Sequence, residues 1–471
     1  MTPEIKLNPK AVNGNVKAEP KVKSCTVNPL KVSPALGGAL AFLGIERCLP
    51  VFHGGQGCTA FALVLAVRHF RETIPLQTTA MSELSTILGG ADNVEQAIGN
   101  IYERARPRMI GICSTALTET RDDDLGGDLK LILGRHPEWQ DLNVVLAPTP
   151  DYAGGLEHGW ARAVEAVVRD LVEHPRGRRI LRQVNLLPGS HLTPGDVEDL
   201  RETVEAFGLK PIVLPDLAGS LDGHVPEGYV PTSLGGTPCE LIAGMGESVI
   251  TIALGEQMRP VAEAVAEISG VPFKVFDSVT GLEEVDALVC TLMEVSGKSP
   301  PERLRRLRSR LVDAMLDGHF FFGGRKAAVA GDPDLVLAFS RFLGDMGCTV
   351  AAAVTTARGA AAERIPTQNV IVGDLDDLER EMARGCDLVV GNSHVGEAAA
   401  RMNVPLFRTG FPIYDRLGAA QRVSVGYRGT RELIFEIGNL LMDRQEDHSH
   451  PSSGASERQG DEHINATAAA G

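Results

Sequence analysis

Short apolar runs alternate with amphipathic segments along most of the chain. The segment over 159–174 has the apolar spacing of a helix, and Thr193 followed by Pro194 and acidic residues predicts a helix over 193–209. Buried strands are predicted for the apolar runs over 108–114, 143–150, 183–189, 210–216, 248–254 and 272–277. The alternation resumes over 326–393. Strands that alternate with helices predict parallel α/β units, whose ligand sites lie at the carboxyl ends of the strands.

This pattern predicts an α/β protein of three doubly wound, parallel-sheet (Rossmann-like) domains. A long Arg-rich amphipathic helix over 300–319 is expected to connect two of them. The ends of the chain are polar and poor in large apolar residues, which is typical of disordered segments. The predicted division is a flexible arm, three α/β domains and a disordered tail, over 1–24, 25–180, 181–320, 321–444 and 445–471.

Composition and charge narrow the class of protein. The chain has 471 residues, of which 43% are hydrophobic, and a formal net charge of −15. An acidic chain of this kind does not favour nucleic-acid binding through a basic surface. The first residues lack the apolar core of a secretory signal, and no run of 18 apolar residues predicts a membrane span. We therefore expect a cytoplasmic protein without a membrane or nucleic-acid partner.

Cysteine placement and motif searches exclude several chemistries. Eight cysteines are scattered, and none forms a CxxC pair, so a zinc ribbon or a thioredoxin-type motif is not predicted. The sequence lacks a phosphate loop, a GxGxxG turn after a strand, a GxSxG elbow and an HExxH motif. Buried, small apolar side chains are expected for Cys239, Cys290, Cys348 and Cys386.

The stretch PVFHGGQGC, over 50–58, places one cysteine behind three glycines. A helical pattern starts at Thr59, so Cys58 is expected near a helix N-terminus, where backbone N–H groups favour a thiolate. Glycines such as Gly57 would let a bulky inorganic group approach the backbone. A metal site and a tight loop with a small buried cysteine both fit these residues. A 4Fe–4S cluster needs four ligands, so Cys58 would be one of them at most.

Several longer stretches share their order and spacing with a known family over about residues 30–440. They are the stretch over 24–61 that ends in HGGQGCTAF, VRHFRE (67–72), LQTTAM (76–81), ICSTALTETRDDDL (112–125), PDLAGSLDGH (215–224), GNSH (391–394) and RTGFPIYDRLG (408–418). With these motifs the chain resembles the nitrogenase component 1 family. The resemblance implies three Rossmann-like domains of the component 1 type.

Departures from the family pattern indicate a branch of the family. In the β subunit of the molybdenum–iron protein, three cysteines bind the P-cluster, and the matching positions here are Ser33, Cys58 and Ala116. Two of the three thiolates are missing, and Cys113 is expected to point elsewhere. The resemblance then implies a cofactor-assembly subunit, in which Cys58 joins three cysteines of the partner subunit NifE at a shared 4Fe–4S cluster. Gly57 and His53 would surround that cluster, although His53 also suits a structural role.

The resemblance implies a scaffold and no independent catalytic residue. A precursor of the iron–molybdenum cofactor would mature on an α2β2 heterotetramer with NifE, with transient contacts to NifB, the nitrogenase iron protein and cofactor carriers. The cysteine that ligates the precursor is expected on the NifE side. One alternative is a catalytic β-type subunit of nitrogenase or of a related reductase. Another is a metal- or siderophore-binding α/β protein, which would explain the fold but not the glycine–cysteine motif.

Overall fold

The structure is a computed structural model that describes residues 21–22, 26–121, 124–221, 223–224 and 228–449. Most of the predicted N-terminal arm and most of the predicted tail lie outside these residues. The described part contains three parallel sheets, of four, four and six strands. The predicted α/β class with three doubly wound parallel-sheet domains is confirmed.

The first described strand is β1 (Lys21–Val22), and it belongs to the third sheet, where it pairs in parallel with residues 371–372. It falls within the predicted flexible arm. For these two residues the arm prediction is wrong, because their backbone groups pair with a strand that lies 350 residues later in the chain.

The first sheet has the strand order β3-β2-β4-β5. Its elements and the helices around it are α1 (Pro34–Leu43), β2 (Cys48–His53), α2 (Gln56–Phe70), β3 (Gln77–Thr78), α3 (Glu83–Leu88), α4 (Ala91–Ala105), β4 (Met109–Ser114), α5 (Ala116–Glu119), α6 (Leu125–Arg135), β5 (Asn143–Ala147) and α7 (Leu156–Leu171). All six residues of β2 and of β4 are buried, as expected for a parallel sheet covered on both faces.

Two glycines allow α1 and α7 to touch backbone to backbone. A Cβ on Gly37 would lie 1.9 Å from the carbonyl oxygen of Leu156, and a Cβ on Gly159 would lie 1.7 Å from that of Pro34. Any larger side chain at either position would force the helices apart. The small-residue run around Gly37 therefore reflects helix packing that holds the segment before β2 in place.

The second sheet has the order β7-β6-β8-β9. Its elements and the helices that follow are β6 (Gln183–Pro188), α8 (Pro194–Ala206), β7 (Lys210–Val213), α9 (Cys239–Ala243), β8 (Thr251–Leu254), α10 (Arg259–Ser269), β9 (Phe273–Phe276), α11 (Leu282–Ser296) and α12 (Glu302–Phe322). The predicted start of α8 is confirmed, since the Thr193 hydroxyl accepts from the Asp196 N–H at 3.0 Å and the Asp196 carboxylate accepts from the Thr193 N–H at 2.9 Å.

The third sheet has the order β1-β12-β11-β10-β13-β14. Its elements are β10 (Lys326–Gly331), α13 (Pro333–Asp345), β11 (Thr349–Thr355), β12 (Val370–Val372), α14 (Leu375–Met382), β13 (Leu388–Gly391), α15 (Gly396–Arg401), β14 (Leu406–Arg408) and α16 (Gly426–Ser449). Helix α16 packs along α12. It continues past 445, where the tail was predicted to begin, because Gln445–Ser449 contain no Gly or Pro and Pro451 follows. Among the described residues, no helix is long and apolar enough to cross a bilayer.

Candidate metal centre

Cys58 is the third residue of helix α2, and its side chain is exposed. The helix begins after Gly55, an extended residue with φ −74° and ψ 153°, and no side chain caps it. The first N–H groups of a helix have no partner within it, and together with the helix dipole they favour negative charge nearby. Cys58 is therefore an accessible thiol at a position that suits a thiolate ligand.

The glycine–cysteine loop lies at the point where the strand order of the first sheet reverses, which is called its switch point. Strand β2 leads through α2 to β3 on one side, whereas its other neighbour, β4, leads through α6 to β5 on the opposite side. His53 at the end of β2 pairs in register with Ser114 at the end of β4. Connections that diverge in this way leave a crevice outside the carboxyl ends of the strands, which is where α/β sheets bind ligands.

The glycines of the loop have different surroundings. A Cβ on Gly54 would lie 2.5 Å from the hydroxyl oxygen of Thr115, which donates to the carbonyl oxygen of His53 at 2.9 Å. Gly54 is thus pressed against the next loop. A Cβ on Gly55 or on Gly57 would have no atom within 4 Å. The outer side of the loop is open, and a bulky inorganic group has room to approach it.

His53 lies inside the domain. It is 1% exposed, its Nδ1 atom is 3.0 Å from the hydroxyl oxygen of Thr79, and its Cε1 atom would lie 2.5 Å from a Cβ on Gly90. These contacts hold the end of β2 against the residue that follows β3 and the residue that precedes α4. They favour the structural role for His53, and a contact between His53 and an iron–sulfur cluster stays a prediction.

The two other positions that matched P-cluster ligands offer no thiolate. The Ser33 hydroxyl accepts from the Ala35 N–H at 3.2 Å, as the cap of α1, and donates to the Asp151 carboxylate. Ala116 is the first residue of α5 and has no ligand atom. The Ser33 oxygen is already used twice, so Cys58 is the only one of the three that presents a ligand.

Cys113 does not compensate for the missing thiolates. It is buried in β4 with its sulfur 2.8 Å from a Cβ built on Gly38, and burial raises the pKa of its thiol. The expectation that it points elsewhere is confirmed. Cys239, Cys348 and Cys386 are buried as expected, but Cys290 is exposed on α11, because its helical position faces outward, so that prediction is wrong. No three His, Cys, Asp or Glu side chains of the described residues converge to hold a metal ion.

Large apolar side chains are exposed on α2 and α5, which carry Cys58 and Ala116, and on α3. We call this set the apolar rim: Phe61 (69% exposed), Val64 (52%), Leu84 (64%), Ile87 (75%) and Leu117 (39%). They belong to α2, α3 and α5. An exposed apolar surface that is shared by neighbouring elements typically marks an interaction site. The sequence did not mark these residues as exposed, because an exposed apolar residue of a helix cannot be told from a core residue by its type.

A family model described as nitrogenase component 1 type oxidoreductase matches residues 33–442. The chain belongs to the nitrogenase component 1 family. This membership agrees with the resemblance found in the motifs, and the matched residues include strands of all three sheets.

Curated relatives within the component 1 family are similar over nearly their whole length. A protein of Bradyrhizobium diazoefficiens is 51% identical over 433 residues, which are 91% of this chain and 92% of that protein. A protein of a Nostoc species is 49% identical, with 90% and 95% coverage, and one of Klebsiella pneumoniae is 37% identical, with 91% and 94%. All three are named nitrogenase iron-molybdenum cofactor biosynthesis protein NifN.

Solved component 1 structures share the fold. A chain of the structure described as nitrogenase Cp1 at pH 6.5 superposes with a TM-score of 0.87 at 30% identity, covering 93% of this chain and 97% of that one. A chain of nitrogenase Cp1 at pH 5 superposes with a TM-score of 0.67 at 13% identity and shows the fold alone.

Proposed function

We propose that this chain is a scaffold subunit for the assembly and maturation of the nitrogenase iron–molybdenum cofactor. Its similarity to NifN proteins over nine-tenths of its length supports this function. The proposal places it in the cytoplasm. It assigns binding and positioning to the chain's residues, with no independent catalytic site and with the precursor's direct cysteine ligand on the partner subunit.

Cys58 is proposed as one ligand of a 4Fe–4S cluster at a subunit interface. The observation that carries this proposal is an exposed thiol in an open glycine loop, at the switch point of the first sheet, with Ser33 and Ala116 where two further thiolates would be needed. A bound cluster would supply iron–sulfur chemistry, and its remaining thiolates would come from another chain. Gly57 would contribute room for the cluster, and His53 would hold the loop behind it.

The proposed partner is NifE, in an α2β2 heterotetramer. The apolar rim supports a subunit interface around Cys58, since covering it would remove five large apolar side chains from water. NifB, the nitrogenase iron protein and cofactor carriers are proposed as transient partners. These would deliver the precursor, act on it and remove the finished cofactor.

The alternative function is a catalytic β-type subunit of nitrogenase or a related reductase. The fold suits both functions, because the solved nitrogenase chain has the same architecture. The cysteine positions favour the scaffold. A P-cluster half-site with Ser33 already bonded to Asp151, and with alanine at the third position, would lack two of its thiolates.

Replacement of Cys58 tests the scaffold ligand. The full chain is co-expressed with NifE as wild type, Cys58→Ala and Cys290→Ala, and the purified complexes are compared by iron analysis and EPR. Cys290 is a matched control, because it is also exposed but lies on α11 of the second domain. We expect Cys58→Ala to keep the partner and lose the 4Fe–4S signal, while Cys290→Ala retains both.

Two results would contradict the proposal. An unchanged signal in Cys58→Ala would remove Cys58 from the ligand set. An eight-iron cluster in the chain purified with its partner would favour the reductase subunit over the scaffold.

A further inference from the structure

Three carboxyl side chains from two domains meet where the three sheets come together. Glu157 lies in the first turn of α7, and Asp332 and Asp334 lie at the start of α13. Glu157 is 4% exposed and Asp334 is fully buried, while Asp332 is partly buried. Neither the proposed scaffold function nor the metal centre uses these groups.

Asp334 binds the second domain through backbone groups. Its carboxylate accepts from the N–H groups of Glu256 at 3.1 Å and Gln257 at 3.0 Å, in the turn that follows β8. A Cβ on Gly255 would lie 2.6 Å from an oxygen of Asp334, and Gly255 has φ +97°. The turn thus needs glycine both for its conformation and for the close approach of the carboxylate.

Glu157 connects the first domain to the same point. Its carboxyl oxygen Oε2 accepts from the Asp334 N–H at 3.3 Å. Asp332 next to it accepts from the hydroxyl of Thr356, at the end of β11. One chain of hydrogen bonds therefore runs from α7 through Asp334 to the turn after β8, and it joins all three domains.

These hydrogen bonds also lie between the two crevices that the second and third sheets form where their strand order reverses. The strand order of the second sheet reverses between β6 and β8, and that of the third sheet reverses between β10 and β13. The turn with Glu256 and Gln257 follows β8, and Asp332 and Asp334 follow β10. A cavity of about 40 Å³ remains beside His191, enough for a water molecule and little more. The crevices where such sheets bind ligands are occupied here by the chain's own side chains.

The charged groups around Glu157 do not neutralise a carboxylate. The pKa of Glu157 is raised well above its usual value by burial, and then by Asp334 and Asp332. His158 Nδ1 is 3.9 Å from Glu157, but it accepts the Gly155 N–H, and burial, Arg162 and Lys31 lower its pKa despite Asp334 and a hydrogen bond to Arg358.

The other titratable side chains near Glu157 also provide no positive charge to pair with its carboxylate. His191 faces Asp334, but burial lowers its pKa, and Lys31 donates to the carbonyl oxygen of Asp151. Asp332 has its pKa raised to about 6, by burial first and then by Asp334, against the hydrogen bond from Thr356. The junction therefore holds several acids and no cation that is free to pair with Glu157 among the residues described above.

We propose that Glu157 and Asp334 form a proton-operated latch, which joins the three domains while Glu157 keeps its proton and loosens when the proton leaves. The proton lost goes to solvent, and two like charges then face each other in a buried junction. Loosening would open the crevices after β8 and β10. The latch is independent of the iron–sulfur cluster, so it stands or falls separately from the scaffold function.

The direction of the pH effect follows from the raised pKa of Glu157. A proton bound more tightly in the closed form stabilises that form fully below the pKa of the open form. The stabilisation falls as pH rises toward the pKa of the closed form. Between the two values, the opening constant increases about tenfold per pH unit. Burial and Asp334 raise the pKa of Asp332 to about 6, so its contribution is largely complete above about pH 7, and a pH dependence that remains there and is lost in Glu157→Gln belongs to Glu157.

Hydrogen exchange at the amides of Glu256 and Gln257 measures the latch directly, because both donate to Asp334. The full-length chain is compared with Glu157→Gln and Arg364→Gln between about pH 7 and about pH 9, after correction for intrinsic exchange. In the wild type, protection should fall with rising pH, up to about tenfold per unit. Glu157→Gln keeps an acceptor for the Asp334 N–H without a titrating group, so its protection should not change with pH.

Arg364→Gln is the matched control. Arg364 pairs with Asp277 at 2.8 Å and with Glu256 at 3.0 Å, so it joins the third domain to the second, as Asp334 does, but it has no carboxyl group. Loss of the Arg364 guanidinium should lower protection by the same factor at every pH, so protection should change with pH as steeply as in the wild type. The latch would be overturned if protection changed with pH equally in Glu157→Gln and in the wild type. It would also be overturned if wild-type protection did not change with pH.

A second measurement applies if Glu157→Gln does not fold. The infrared spectrum of the wild-type chain should show a protonated carboxyl band at a pH where an ordinary glutamate is ionised, and that band should disappear on unfolding. Absence of that band in the folded chain would overturn the latch.

Discussion

At the scale of single residues, the contacts of Ser33 and Gly54 show why Cys58 is the group that remains available to bind a ligand. Ser33 is held by Asp151 and by the cap of α1, and Gly54 is pressed against Thr115, whereas the space beyond Gly57 is open. The loop therefore has a fixed inner side and a free outer side. Fixing the backbone in this way would hold Cys58 toward a ligand without a contribution from its own side-chain packing.

The two sides of the loop predict opposite effects of the same substitution. Gly54→Ala would place a Cβ 2.5 Å from the Thr115 hydroxyl, so it should destabilise the fold by about 1–3 kcal/mol. Gly57→Ala adds a methyl group in open space within a helix, so stability should stay or rise by up to about 1 kcal/mol. Urea unfolding measures both changes, and equal losses in the two variants would contradict the two-sided loop.

The same pair of variants tests Gly57 as part of the cluster site. If the cluster approaches the backbone at Gly57, then Gly57→Ala should lower the iron content of the NifE complex while the chain remains stable. A stable Gly57→Ala variant with full iron content would show that this glycine is dispensable for the cluster.

At the scale of elements, strand and helix positions followed from the sequence and their contacts did not. The apolar runs predicted β4, β5 and β6, and the Thr193 cap predicted α8, because periodicity and capping are local properties. The touching of α1 and α7 depends on Gly37 and Gly159, which are 122 residues apart. A single sequence contains no signal that pairs such positions, so the glycines appeared only as a small-residue run.

The end of α2 is held to the third domain through His69. Its Nδ1 accepts from the Ile413 N–H at 2.9 Å, its ring packs against Phe411, and burial lowers its pKa to about 4. A histidine with a lowered pKa stabilises the fold fully above its unfolded value near 6.5, and this contribution is lost as pH falls toward 4.

We therefore expect the free energy of unfolding to fall by about 2 kcal/mol between pH 6.5 and pH 5 through His69 alone. His69→Gln should reduce this slope, since a glutamine oxygen can accept from Ile413 without titrating. His174→Gln is the control, because His174 is exposed. Urea unfolding at the two pH values gives the comparison, and an identical slope in His69→Gln would exclude His69 as its source.

At the scale of the whole molecule, the sequence predicted the fold class and the family, but not the surfaces between the domains and toward a partner. Sheet order, the three-domain junction at Asp334 and the apolar rim all depend on residues that are distant along the chain. The β1 strand and the end of α16 also differed from the predicted arm and tail. The composition of both segments indicated disorder. Residues 21–22 are ordered instead by pairing with a distant strand, and residues 445–449 by their propensity to extend a helix.

The apolar rim gives the last prediction, which concerns assembly. Phe61→Lys and Ile87→Lys each place a charge on an exposed residue of the apolar rim, so the fold should remain and binding to NifE should weaken. A central interface residue typically contributes about 2 kcal/mol or more, which corresponds to at least about a thirtyfold rise in Kd. Phe320→Lys is the control, because Phe320 is 84% exposed on α12, in another part of the fold.

Iron content separates this effect from loss of a ligand. Cys58→Ala should lose the cluster and keep NifE, whereas Phe61→Lys should lose NifE and, with it, the cluster. Sedimentation of the co-expressed subunits measures assembly, and iron analysis of the same fractions measures the cluster. If Phe320→Lys weakened assembly as much as Phe61→Lys, the rim would not be the interface. If Phe61→Lys lost NifE but kept the cluster on the isolated chain, the ligands would not be shared.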